Sequence, residues 1–96
     1  MKEAYKVTNV SGYGHEIDTS YYFFRESAHE EFERRLKELH SDKEIGEIKV
    51  FQPSPNELHI IKKATYEVGV SFMTDCGMEY DVDHYDLLIQ QITINE

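Results

Sequence analysis

Hydrophobic and polar positions alternate with period two along most of this chain and follow a helical period in one stretch. Residues 3–10 alternate loosely, with Tyr5 and Val7 on one face, and read as a strand. Ser11-Gly12-Tyr13-Gly14 is a turn signal, and Ile17 to Phe24 reads as a second strand, so the two predict a hairpin. In that second strand Ile17, Thr19, Tyr21 and Phe23 face one way, with Asp18, Ser20, Tyr22 and Phe24 opposite. The aromatic run Tyr21 to Phe24 predicts burial on both faces at its end.

The clearest element is a helix from about Ser27 to His40. Ser27 followed by Glu30 has capping-box spacing, in which hydroxyl and carboxylate satisfy backbone donors reciprocally. Ala28, Phe32, Leu36 and Leu39 fall on one stripe. The remaining positions are charged, with acids early and bases later, as suits the macrodipole. Glu30–Arg34, Glu31–Arg35 and Glu33–Lys37 have the i,i+4 spacing of stabilising pairs, which makes this charge run a solvated face.

Beyond the helix, Glu47 to Phe51 reads as a short strand. Gln52-Pro53-Ser54-Pro55-Asn56 cannot continue it, because proline removes donors. From Leu58 a long alternating run places Ile60, Ala64, Tyr66, Val68, Val70 and Phe72 in one phase, broken only by Lys62. Its length predicts a bend near Lys62-Lys63 or at Gly69. Asp75-Cys76-Gly77 reads as a turn, Glu79 to Asp83 as a strand and His84 to Asp86 as a further turn. In the last segment, Asp83 and Asp86 could cap a short helix carrying Leu87, Leu88 and Ile92. The terminal Ile92-Thr93-Ile94 favours a strand, which is the expectation. Together these elements predict an α+β fold: a single small domain over residues 1–96, one amphipathic helix packed on a largely antiparallel sheet.

Composition bounds what such a domain does. A chain of 96 residues buries roughly 60–65% of its unfolded surface, enough for one core and too little for a deep enclosed chamber as well. The 7 tyrosines and 5 phenylalanines are the expected core material. No apolar run approaches the ~20 residues of a membrane span. The N-terminal residues lack a signal-peptide core, and the lone Cys76 excludes an intramolecular disulfide, so a cytoplasmic location is expected.

Charge is distributed unevenly. No lysine or arginine follows Lys63, whereas seven acids do: Glu67, Asp75, Glu79, Asp81, Asp83, Asp86 and Glu96. The net charge is -9, and a pI near 4.9 disfavours nucleic acid and anionic membranes as direct ligands. The compatible partner is a protein with a basic surface, such as a nuclease or another nucleic-acid-binding complex.

No catalytic, cofactor or metal motif survives inspection. Counted as a calcium loop from Glu79, the sixth position is His84 rather than Gly and the twelfth is Gln90 rather than Glu. His29-Glu30-Glu31-Phe32-Glu33 carries Glu where a zincin requires its second His. Cys76 with His15, His59 or His84 as base would need an electropositive setting, and its neighbours are acids. Gly12-Tyr13-Gly14 is too short for a phosphate cradle. Hence no catalytic residue, cofactor or metal is expected. The alternation Glu79-x-Asp81-x-Asp83 puts three carboxylates on one strand face, which must sit in water or meet a cation or a basic partner.

In size, acidity and layout the chain resembles the small acidic α+β proteins that phages encode to block host machinery, anti-CRISPR and other anti-defence inhibitors among them. The resemblance rests on general character and on no motif. It implies a binding inhibitor that presents an acidic face to a basic surface, in some cases in place of nucleic acid. On that reading Asp75, Glu79, Asp81, Asp83 and Asp86 steer the encounter, and Tyr80 and Tyr85 are the anchors. The alternatives are an immunity protein or antitoxin that neutralises a toxin, a small metal- or thiol-dependent enzyme, and an assembly factor that pairs through a free sheet edge.

Overall fold

Strand-forming sequence dominates the chain, and in the computed structural model, which describes residues 2–52 and 59–94, it forms five strands and one helix. These are β1 (Lys2–Ser11), β2 (Glu16–Tyr22), α1 (Arg25–Ser41), β3 (Ile45–Phe51), β4 (Ile60–Thr74) and β5 (Gly77–Ile94). The strands make one sheet in the order β2-β1-β5-β4-β3, with every pairing antiparallel. The fold is α+β, as the sequence predicts: α1 lies across one face of the sheet, and its apolar stripe meets alternate positions of the strands. Ala28 and Phe32 pack with Val7, Ala64, Tyr66, Leu87 and Ile89 in one buried cluster. Tyr5, Tyr22, Leu36, Leu39, Ile45, Ile48 and Tyr85 close its margins.

Turn chemistry follows the sequence. Gly14 takes φ +85 in the β1–β2 connection, where its N–H donates to the Ser11 carbonyl at 2.9 Å. At the β4–β5 hairpin Gly77 takes φ +116, a conformation that L side chains rarely adopt. The Thr74 hydroxyl accepts the Cys76 N–H at 3.2 Å and donates to the Gly77 carbonyl at 3.1 Å, locking the turn. The bend expected near Lys62 is a register shift between Ile60 and Lys62. It takes Ile60 out of phase with Ala64 and Tyr66 and packs Ile61 against the core. Lys62 thereby sits opposite the buried Ile89. Its ammonium lies 5.1 Å from the Phe32 ring centroid and 2.7 Å from Glu33 Oε1. The apparent break in the apolar phase is therefore a lysine stem lying over the core with its charge delivered to the helix.

Four expectations are corrected. The helix begins at Arg25, with Phe24 as an extended N-cap that makes no side-chain cap bond. Ser27 and Glu30 are then already inside the helix, and the capping box does not form. Phe24 is 70% exposed and Phe23 and Tyr21 are also exposed. The two phenylalanines form the β2–α1 connection outside the sheet, so the aromatic run is not buried on both faces. Among the described residues Phe32 is the one phenylalanine of the buried cluster, whose other members are mostly aliphatic. Finally, His84 to Asp86 do not turn: β5 runs unbroken through them, because Tyr85 pairs with Tyr66 on one side and Ser11 on the other. The proline-containing loop expected after Gln52 falls mostly at 53–58, outside the described residues.

Candidate functional site

The two long strands outrun their neighbours. Pairing of β1 with β5 stops at Ser11↔Tyr85, and pairing of β3 with β4 stops at Ile45↔Val68. Beyond Gly69↔Val82 only β4 and β5, among the described strands, continue to pair, as far as Thr74↔Gly77. This two-stranded arm carries the molecule to a longest dimension of 56 Å, against 25 and 24 Å across. At about 3.3 Å per residue the free ribbon projects on the order of 20 Å.

Alternation sorts the arm's side chains. Glu79, Asp81 and Asp83 share the phase of Tyr85 and Leu87 and so continue the helix-bearing face of the sheet. Met78, Tyr80, Val82 and His84 take the other face, where Met73 stands opposite Met78 and Ser71 opposite Tyr80. Tyr80 is 81% exposed, and Met73, Met78 and Val82 are exposed as well. Asp75 sits in the terminal turn beside the free, exposed Cys76. Among the described residues no ion pair forms to Asp75, Glu79, Asp81 or Asp83. Asp81 Oδ1 accepts the Val82 N–H at 2.7 Å. The structure thus brings together four of the seven residues singled out in the sequence, Asp75, Glu79, Tyr80 and Asp81, on one projecting ribbon, with Asp83 just inside its base, opposite Val68. Tyr85 and Asp86 stand apart at its root. Tyr85 is half-buried and stacks on Tyr66 with ring centroids 5.5 Å apart. Asp86 lies on the opposite face between Val10 and Thr65.

At this root, on the helix side, lies a feature that the sequence reading passed over. A cleft of about 600 Å³ opens between the C-terminal half of α1 and the β1–β2 hairpin, lined by Asn9, Asp18, Ser20, Arg35, Asp42 and Tyr66 among others. Arg35, assigned above to the solvated face, is 9% exposed. It falls at i+3 from Phe32 and i+7 from Ala28, on the buried stripe itself, which is the signal that could have found it. Its Nη2 donates to Ser20 Oγ at 3.1 Å, its Nε lies 3.8 Å from Glu31 Oε2, and its buried Nη1 has no hydrogen-bond partner among the described residues. Asp18 reaches the cleft through a bulge. Val7 pairs with Ser20 and Asn9 with Ile17, so two residues of β2 oppose one of β1, and Asp18 takes φ +54.

Burial, hydrogen bonds and neighbouring charges around the cleft perturb three groups. Glu31 accepts from Arg34 Nε and, at 3.0 Å, from the Tyr22 hydroxyl; the Arg34 bond chiefly holds its carboxyl below the usual carboxylate range. Burial, then the neighbouring Glu31 carboxylate, raises Tyr22. The Tyr66 hydroxyl donates to Asn9 Oδ1 at 3.1 Å, and burial, reinforced by Tyr85 and Asp18, pushes it up to about 12. Among the described residues no three of His, Cys, Asp and Glu converge as a metal site, and no helix is long and apolar enough to cross a membrane. Comparisons with protein-family models, with curated proteins and with solved structures found no match.

Proposed function

We propose that this protein is an inhibitory protein-binding module whose acidic arm occupies a basic, nucleic-acid-binding surface on its partner. The supporting observation is the arm itself: Glu79 and Asp81 on the free ribbon and Asp83 at its base lie in one phase without a cationic partner among the described residues. A bare two-stranded ribbon is marginal in water, and like charges two residues apart on a strand repel. A basic surface relieves both. The exposed Tyr80, with Met73 and Met78, supplies apolar contact area beside the charge. The inhibitory role rests on the resemblance to phage-encoded anti-defence proteins, and a cytoplasmic partner accords with it.

A pull-down from the source cell or its host, run at low and high salt, is expected to capture a basic partner that high salt releases. Stopped-flow association of the purified pair is expected to slow about tenfold or more for the Asp81→Lys, Asp83→Lys double variant at low ionic strength, since steering spans several decades of on-rate. Association kinetics unchanged by that double charge reversal would refute the proposal.

A further inference from the structure

The cleft at the arm's root points to a second activity that does not depend on the arm. Its charged lining consists of four carboxylates, Asp18, Glu31, Glu38 and Asp42, against the guanidiniums of Arg34 and Arg35. Arg34 is engaged by Glu31 and Glu38, and Glu31 is further engaged by Tyr22. What remains is chemically specific. Arg35 Nη1 is a buried cationic donor with no acceptor among the described residues. The Asp18 carboxylate makes no hydrogen bond or ion pair among the described residues, and Asp42 uses only Oδ1, on the Glu44 N–H at 2.9 Å.

An anion alone would satisfy Arg35 and be repelled by the acids. A simple cation would satisfy the acids and leave Nη1 orphaned, at the cost that a buried unmet donor carries. Only a ligand with both groups answers the whole lining. We propose that the cleft binds a small zwitterion of the amino-acid or short-peptide class, its carboxylate on Arg35 and its ammonium toward Asp18 and Asp42. A volume of about 600 Å³ lies within the roughly 300–1,000 Å³ of small-molecule sites. The bulge that sets Asp18 at φ +54 is the kind of irregularity that re-aims a side chain at a site.

The test is a heteronuclear NMR titration of the isotope-labelled chain with glycine and glycylglycine, and separately with acetate and methylammonium. Saturable shifts at Asp18–Ser20 and around Arg35 are expected with the two zwitterions only. Asp18→Asn, which tolerates the left-handed backbone, and Arg35→Lys, which keeps charge but loses the planar fork, are each expected to weaken binding about tenfold, the scale of one charge-assisted hydrogen bond. Their spectra away from the cleft report that the fold persists. The proposal is overturned if neither zwitterion gives saturable shifts up to about 50 mM, a limit already far weaker than millimolar binding. Acetate or methylammonium matching the zwitterions, or undiminished binding by Asp18→Asn in a folded variant, overturns it equally.

Discussion

Tyr66 joins the core, the arm's root and the cleft, and its ionisation gives a quantitative check on all three. The phenol is raised from 10.0 to about 12. Because the folded pKa lies above the unfolded one, the folded state binds more protons in that window. Its stabilisation is complete below the unfolded value and is lost as pH rises through the folded one. Two pKa units correspond to about 2.7 kcal/mol in total, and half of that, about 1.4 kcal/mol, is gone by about pH 11. Tyr66→Phe removes the titration and also the hydroxyl that Asn9 Oδ1 accepts, at about 1 kcal/mol near neutrality. Urea unfolding followed by circular dichroism therefore has a definite expectation. The wild-type chain is the more stable by about 1 kcal/mol at neutral pH, and that advantage vanishes or reverses near pH 11. Tyr22, also raised, acts in the same direction in both proteins and cancels in the difference. A wild-type minus variant difference that stays constant from neutrality to about pH 11 would show that the Tyr66 hydroxyl is not desolvated as described.

Two further outcomes probe the helix. Phe32→Ala, at a fully buried position that also carries Lys62 over its ring, is expected to cost about 3–5 kcal/mol by denaturant titration. A loss below about 1 kcal/mol would mean that the helix does not seat there. Glu31 has a folded pKa below the ordinary carboxylate value of 4.5, so its contribution is present above the unfolded pKa and is lost as pH falls through the folded one. The stability gap between wild type and Glu31→Gln is therefore expected to close on acidification below about pH 4.5; a gap independent of pH would count against the Arg34–Glu31–Tyr22 network.

The helix and most strands were legible because burial on one side imprints a period on them: Ala28 and Phe32 on the helix, Ala64 and Tyr66 on β4. Legibility fails where that cause is missing. The outer half of β5 is exposed on both faces, so nothing selects apolar alternation there, and Asp83-His84-Tyr85-Asp86 reads like a turn. The acids of the arm were found because charge is visible without coordinates, although their projection from the sheet was not. Arg35 was missed because residue type outweighed position: its place on the stripe says buried, its guanidinium says solvent. Asp18 was beyond reach, since the bulge that turns it into the cleft comes from the pairing of β1 with β2 and not from either strand alone.

The strand order β2-β1-β5-β4-β3 sets a timetable. β5, the last of the described strands to be synthesised, is the middle of the sheet, and Lys2 at the start of β1 pairs with Ile94 near its end. As the chain emerges from the ribosome, the β1–β2 hairpin, the helix and the β3–β4 hairpin can form early, but no sheet joins them until β5 threads between β1 and β4. Leu87 and Ile89, which complete the core, arrive with it. Folding is thus gated on a late, high-contact-order event, and until then two hairpins present unpaired edges to whatever is nearby. Truncation within the final strand should accordingly leave a chain with no sheet centre, a more damaging loss than removing the same number of residues from the edge strand β3.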